Sequence, residues 1–321
     1  MNEWGPGARA GRHYYCMNAL SKARLLSALS CGLVLCPLGL TAAPKEAQDA
    51  AIRLLRDASL MLLKEGNDRY VMGKSQHPHL DAERRSSTGA QGQEPFATIL
   101  ACSDSRDPVE LIFDRGVGDL FVIRVAGNVA GVSELATVEY GAGHLSIPVL
   151  VVMGHTRCGA VTAVVKGTEL HGHLLALAEK IRPAAAKAKA EGADGDDLVA
   201  KAIQGNVWQT IEDIIQQSSV VRERINAGRL NIFGAVYDLE AGKVNWLGAH
   251  PAEDALVALA DQAQTDLALA RKLSAPEPGP RPSRPPPAVS TGSGRALAPV
   301  VQNESPAGER HSEPPAPSKV H

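Results

Sequence analysis

The sequence has no excess of charge of either sign: 33 lysine and arginine residues stand against 35 aspartate and glutamate residues. Its basic residues do not gather into a stripe, which argues against nucleic acid or another polyanion as partner and leaves small-molecule chemistry as the expectation. There is no internal repeat. The apolar run near the N-terminus is short for a membrane anchor, so no stable membrane span is expected in the mature chain. Cysteine is scarce: of five in the chain, Cys16, Cys31 and Cys36 lie close to the N-terminus, leaving Cys102 and Cys158 for the body of the protein. From about residue 274 onward, in "SAPEPGPRPSRPPPAVSTGSG", large apolar residues are nearly missing. Such a segment cannot bury enough surface to offset its chain entropy, so residues 274–321 read as a disordered, proline-rich tail.

The N-terminal segment carries Lys22 and Arg24 ahead of "LLSALSCGLVLCPLGLTAA", with small residues at Thr41 and Ala43. This is the layout of a secretory signal cleaved near Ala43, and Met17 opens a segment of more usual signal proportions than Met1 does. Residues 1–43 are therefore expected to be removed on export to the periplasm or outside the cell, a point for N-terminal sequencing of the exported protein. An oxidising compartment would pair two close, unoccupied thiols. Either Cys102 and Cys158 pair, or something protects them.

Their surroundings point to metal. "FATILAC" and "PVLVVMGH" are continuous apolar runs of the kind that fully buried parallel strands show, ending at Cys102 and at Gly154–His155. Cys158 follows three residues after His155, where a helix begins whose positive end favours thiolate, the form that binds zinc. Open α/β sheets place ligands at the carboxyl ends of strands, and both runs deliver ligating residues there. Cys, His and Cys are three protein ligands, the number that leaves a tetrahedral zinc one open position. A closed structural site would need a fourth Cys or His, and no second CxxC is present.

The chain resembles the β-class carbonic anhydrases. The resemblance is carried by "CSDSR" from Cys102 to Arg106 and "GHTRCGAV" from Gly154 to Val161, with lesser matches in "EGNDRY", "FVIRVAGN" and "EYG". It covers about residues 50–250. What it implies is zinc held by Cys102, His155 and Cys158, with Asp104 and Arg106 as a dyad beside the metal and carbon dioxide and bicarbonate as the substrate pair. Zinc lowers the pKa of a bound water to about 7, Asp104 would accept a hydrogen bond from that hydroxide and aim its lone pair at carbon dioxide, and Arg106 would keep Asp104 ionised and turned. In some members the matching Asp swings onto zinc as a fourth ligand and closes the site. The resemblance also implies substrate contacts at Gln93, Phe121, Ala126 and Tyr140. Asp107 departs from the family, which commonly has an apolar residue there; facing solvent is the expectation, with competition for Arg106 as the alternative.

The remaining pattern is scaffold. Residues 45–72 have helical apolar spacing and form an N-terminal arm that, in the family, crosses onto a neighbouring subunit, so a homodimer or tetramer is expected. The fold class is α/β: a mostly parallel central sheet of four strands plus an antiparallel edge strand, flanked by helices, over residues 44–273. The pairs His77/His79 and His171/His173 read as solvated loops. Two other functions fit less well. One is hydrolysis of a sulfur analogue such as carbon disulfide or carbonyl sulfide on the same fold. The other is a noncatalytic zinc scaffold, against which the Asp104/Arg106 pair speaks.

Overall fold

The computed structural model describes residues 45–274. The expected signal segment, residues 1–43, and the proline-rich tail beyond residue 274 lie outside them. The elements run in the order α1 (Lys45–Val71), α2 (Ala82–Gln91), β1 (Ala97–Ala101), α3 (Val109–Ile112), β2 (Leu120–Arg124), α4 (Val132–Glu139), β3 (Val149–His155), α5 (Gly159–Val165), α6 (Leu174–Ala190), α7 (Gly195–Gln217), α8 (Ser219–Asn226), β4 (Asn231–Tyr237), β5 (Val244–Gly248) and α9 (Glu253–Ser274). One compact unit ends at Thr265, and residues 266–274 continue α9 beyond it. No helix among the described residues is long and apolar enough to cross a membrane.

The sheet has five strands in the order β2-β1-β3-β4-β5, parallel except for the β4–β5 hairpin. Every residue of β1 and β3 is buried, as their unbroken apolar sequences require of strands covered on both faces. Successive side chains point to opposite faces. Leu100, Leu150, Val152 and Ile232 pack with Val207, Ile211, Ile214 and Ile215 of α7 on one face. On the other, Ile99, Val149, Val151 and Met153 meet Leu63 of α1 and Ile112 and Phe113 at the end of α3.

The "EGNDRY" segment turns out to be a structural staple. A Cβ on Gly66 would lie 1.9 Å from the Phe113 carbonyl oxygen, so only glycine lets α1 sit this close to the α3 end. Its neighbour Asn67 is buried and ties three segments together. Its amide nitrogen donates to the Ile112 and Gly242 carbonyls at 3.2 and 2.9 Å, and its oxygen accepts from Val244 N at 2.9 Å. Arg69 then pairs with buried Asp114 at 2.6 Å, and Asp114 also accepts from the backbone of Gln76 and His77.

Where helix α9 begins, Glu253 keeps a carboxylate oxygen buried with no hydrogen-bond partner among the described residues. Burial, and then the neighbouring Asp254, lift its carboxyl from the usual 4.5 to about 7. The folded state therefore holds this proton more tightly than the unfolded chain. Its contribution to stability is full below about pH 4.5 and is lost as pH rises through about 7. Glu253→Gln is expected to gain roughly 1–2 kcal/mol at about pH 8, discounted for partial exposure and for the lost helix-dipole interaction, and little at about pH 5. Thermal unfolding at the two pH values checks the sign.

Candidate metal centre

Strands β1 and β3 are parallel neighbours, with Ala101 beside Met153, while β2 lies on the other side of β1. The chain thus leaves β1 in one direction and returns to build β3 in the other, which opens a crevice at the carboxyl ends of these two strands. Cys102 stands immediately after β1, His155 is the last residue of β3, and Cys158 is the residue that starts α5. Between the last two, Arg157 takes a left-handed φ of 56°, turning the chain so that both side chains face the same crevice.

The Cys102 and Cys158 sulfurs and a His155 ring nitrogen all lie within 4.8 Å of one another. All three side chains are buried, inside an apolar shell that includes Val129, Val161, Ile181 and Ile203. His155 Nδ1 lies 2.9 Å from the Thr156 carbonyl oxygen, which can only accept, so Nδ1 carries the proton. That leaves Nε2 with a lone pair, buried and without a hydrogen-bond partner among the described residues. An orphaned nitrogen between two thiols is costly unless a cation takes it. The sulfurs agree: Cys102 is drawn far below an ordinary thiol, first by the hydrogen bond from the Cys158 thiol and also by the Gly127 N–H, against the effect of burial. The same contact, with burial, pushes Cys158 up. One proton leaves this pair easily and the other is retained. A soft-to-borderline divalent cation such as zinc matches two sulfurs and an imidazole nitrogen.

Beside the cluster, Asp104 and Arg106 form a two-pronged pair: Arg106 Nε donates to Oδ1 at 2.9 Å and Nη2 to Oδ2 at 2.8 Å, while Arg106 N adds a bond to Oδ1 at 3.0 Å. These bonds hold the Asp104 carboxyl well below the usual carboxylate range. Asp104 Oδ2 is 3.8 Å from His155 Nε2, so the carboxylate borders the cluster while turned to Arg106. Arg124, at the end of β2, clamps the same loop by donating to the carbonyls of Cys102 and Asp104 at 2.9 and 2.6 Å.

The family model for carbonic anhydrase matches residues 97–244. Over 190 residues the chain is 38% identical to carbonic anhydrase 2 of Mycobacterium tuberculosis, covering 58% of this chain and 90% of that one. Over 192 residues it is 34% identical to a carbonic anhydrase of Mycolicibacterium smegmatis, covering 58% and 91%. The crystal structure of the β-carbonic anhydrase CafA of Aspergillus fumigatus superposes with a TM-score of 0.50 and 32% identity, covering 60% of this chain and 92% of that one. The chain belongs to the β-class carbonic anhydrases. Members of this class are zinc enzymes, and Cys102, His155 and Cys158 are the possible metal ligands that this carbonic anhydrase groups together.

Not every residue read from the sequence sits at the cluster. Ala126 opens the turn over residues 126–128 that touches Cys102 through Gly127. Phe121 pairs in register with Thr98, four positions before Cys102, or about 13 Å along the strand. Its ring packs 5.9 Å from that of Tyr140, which in turn stacks on His144 at 4.7 Å. Gln93 is exposed at the opposite end of β1. Within one chain of this carbonic anhydrase these three stand apart from the cluster.

Asp107 overturns the expectation of a solvent-facing side chain. It is 0% exposed, and neither carboxylate oxygen has a hydrogen-bond partner among the described residues. It does not compete for Arg106. Burial raises its carboxyl to about 7. His79 lies in an exposed turn, as expected of a solvated loop residue, and its Nδ1 also sits 2.7 Å from Asp119. Arg124 and the Gly127 N–H were not read as site groups from the sequence. Arg124 had a usable signal, a charge at the carboxyl end of a strand; Gly127 acts through its backbone and had none.

Proposed function

We propose that this chain catalyses the reversible hydration of carbon dioxide to bicarbonate and a proton at a zinc ion held by Cys102, His155 and Cys158, with Asp104 and Arg106 as the orienting dyad. The observation that carries this reading is the carboxylate of Asp104, locked by Arg106 at the rim of a buried three-donor cluster. When bound, zinc supplies the Lewis acidity that makes a water nucleophilic near neutral pH. His155, with Nδ1–H fixed on the Thr156 carbonyl, presents only Nε2 to the ion. Asp104, ionised and acceptor-only, would accept a hydrogen bond from the attacking oxygen's remaining proton and so aim its lone pair at the carbon. Arg106 fixes that orientation by its two-pronged bond. The dry shell of Val129, Val161, Ile181 and Ile203 excludes competing water and strengthens each of these interactions.

Self-association is part of this reading. A single chain leaves Leu54, Leu55 and Met61 of α1 exposed by 71%, 60% and 54%, an apolar stripe suited to another copy. Because Gln93, Phe121 and Tyr140 lie away from the cluster in one chain, a substrate pocket that includes them requires a second copy, as a homodimer or tetramer.

Zinc-loaded protein is expected to hydrate carbon dioxide rapidly in stopped-flow assays between about pH 6 and about pH 9. Full zinc occupancy with no hydration anywhere in that range would overturn the reading. Turnover of carbonyl sulfide by the same sample would then redirect the substrate assignment.

A further inference from the structure

The chain between β2 and α4 makes a tight turn whose backbone is under unusual constraint. Asn128 N donates to the Val125 carbonyl at 3.0 Å, and Gly127 between them has φ 77° and ψ 15°. That is the third position of a type II turn, which calls for glycine. Asn128 follows with a left-handed φ of 45°, so two successive residues sit in the sparsely populated half of backbone space. Such a turn persists only when its surroundings over-determine it. A side chain at Gly127 would also be crowded, since a Cβ there would lie 2.8 Å from Ile181 Cδ1 and 3.3 Å from Ala160 Cβ, so that the Ile181 side chain would have to shift.

Gly127 is held on both sides. Its N–H donates to Cys102 Sγ at 3.3 Å. Its carbonyl accepts from Asn206 Nδ2 at 2.7 Å. Asn206 comes from the middle of α7, between the apolar residues Ile203 and Val207, and is 1% exposed. Its amide cannot be turned the other way, because that would set Oδ1 against the Gly127 carbonyl oxygen, two acceptors with no proton between them. Oδ1 itself has no hydrogen-bond partner among the described residues, so the donor is the half of this amide that the structure uses.

We propose that Asn206 is a positioning residue for the reaction: by fixing the Gly127 carbonyl it holds the Gly127 N–H on the Cys102 sulfur and so sets how strongly that sulfur donates to the metal. This rests on the reading of Cys102 as a zinc ligand. A hydrogen bond to a ligating thiolate draws electron density from the sulfur, leaving the ion a stronger Lewis acid, and such outer groups are worth about 10–100-fold in metal affinity or activity. Removing the Asn206 donor frees Gly127 to relax out of its left-handed conformation, and the N–H leaves the sulfur.

The test uses the full chain loaded with cobalt(II), whose thiolate-to-metal charge-transfer band reports electron density on the sulfur. Asn206→Leu keeps the approximate shape and removes the donor without adding charge, and Asn206→Ala removes it with most of the side chain; either one that folds by circular dichroism suffices. The expected result is a band moved to longer wavelength and, in the zinc-loaded variant, carbon dioxide hydration about tenfold slower than in the parent chain, because a more strongly donating sulfur leaves the ion a weaker Lewis acid. Thr210→Val, a buried change about one turn further along α7, serves as the control for plain destabilisation and is expected to leave both readouts in place. Asn206 variants that match the parent in band position and hydration rate would overturn the proposal. So would Thr210→Val moving both readouts as far as the Asn206 variants do. A parent chain that shows no thiolate band would overturn the zinc reading itself, and this proposal with it.

Discussion

Cys158→Ser is expected to yield a folded protein that no longer retains stoichiometric zinc and hydrates carbon dioxide at close to the uncatalysed rate. The substitution is near-isosteric, but a serine hydroxyl stays protonated where the cysteine sulfur becomes a thiolate, so the cluster falls from three competent donors to two. Loss of a direct ligand should cost more than the 10–100-fold typical of outer-sphere groups, so zinc affinity is expected to fall by more than about 100-fold. The fold has reason to survive. Cys158 occupies the N-cap of α5, where its own side chain makes no capping bond, and serine is among the preferred residues there. The variant thus separates metal loss from unfolding, which His155→Ala, with a cavity opened in a fully buried site, would do less well. Zinc analysis and circular dichroism on the same preparation check both halves. Stoichiometric zinc with undiminished hydration in Cys158→Ser would remove Cys158 from the centre.

Much of this centre was legible because its chemistry is written locally. The runs ending at Cys102 and His155 are unbroken apolar sequences, and such strands lie inside a parallel sheet with their carboxyl ends open. The N-terminal arm is marked by its spacing and is observed as α1, Lys45–Val71. What was not legible depends on partners distant in sequence. The apolar pattern of residues 197–219 reads as one helix, yet the chain breaks at Ser218 into α7 and α8. There the Ser218 hydroxyl caps Val221 N at 3.1 Å and donates to Glu139 at 2.7 Å, a residue 79 positions away. Helix α2 buries none of its residues and has no apolar face to announce it. It is held instead by the Asp81 cap and by Arg84, which reaches the Val117 carbonyl and Asp119. Asp107 illustrates the same limit at the site. Between Arg106 and Pro108 it has the local look of a surface loop, and only the packing of the whole domain buries it.

Zinc-loaded Asp104→Asn is expected to lose about 10²–10³-fold in kcat, with kcat/KM falling in parallel and zinc content unchanged. Asp104 lies outside the three-donor cluster, so its loss should spare the metal. What changes is the acceptor set. Both carboxylate oxygens take N–H groups of Arg106, at 2.9 and 2.8 Å. In the asparagine one of those positions becomes an NH₂ facing a guanidinium N–H, two donors that repel. The side chain then rotates or parts from Arg106, and no acceptor is left fixed at the rim to hold the proton of the attacking water. Because Arg106 holds the parent carboxyl well below the usual range, Asp104 stays ionised throughout the assay range, and the pH limb of the parent enzyme should not come from it. The variant is therefore expected to lower the whole profile without moving its midpoint. Arg106→Lys keeps the charge but gives up the two-pronged geometry, so a smaller loss is expected. Stopped-flow profiles of the three zinc-loaded proteins decide the matter: an Asp104→Asn profile within about twofold of the parent would leave Asp104 as a mere partner of Arg106, whereas a uniform drop of the expected size assigns it the orientation of the nucleophile.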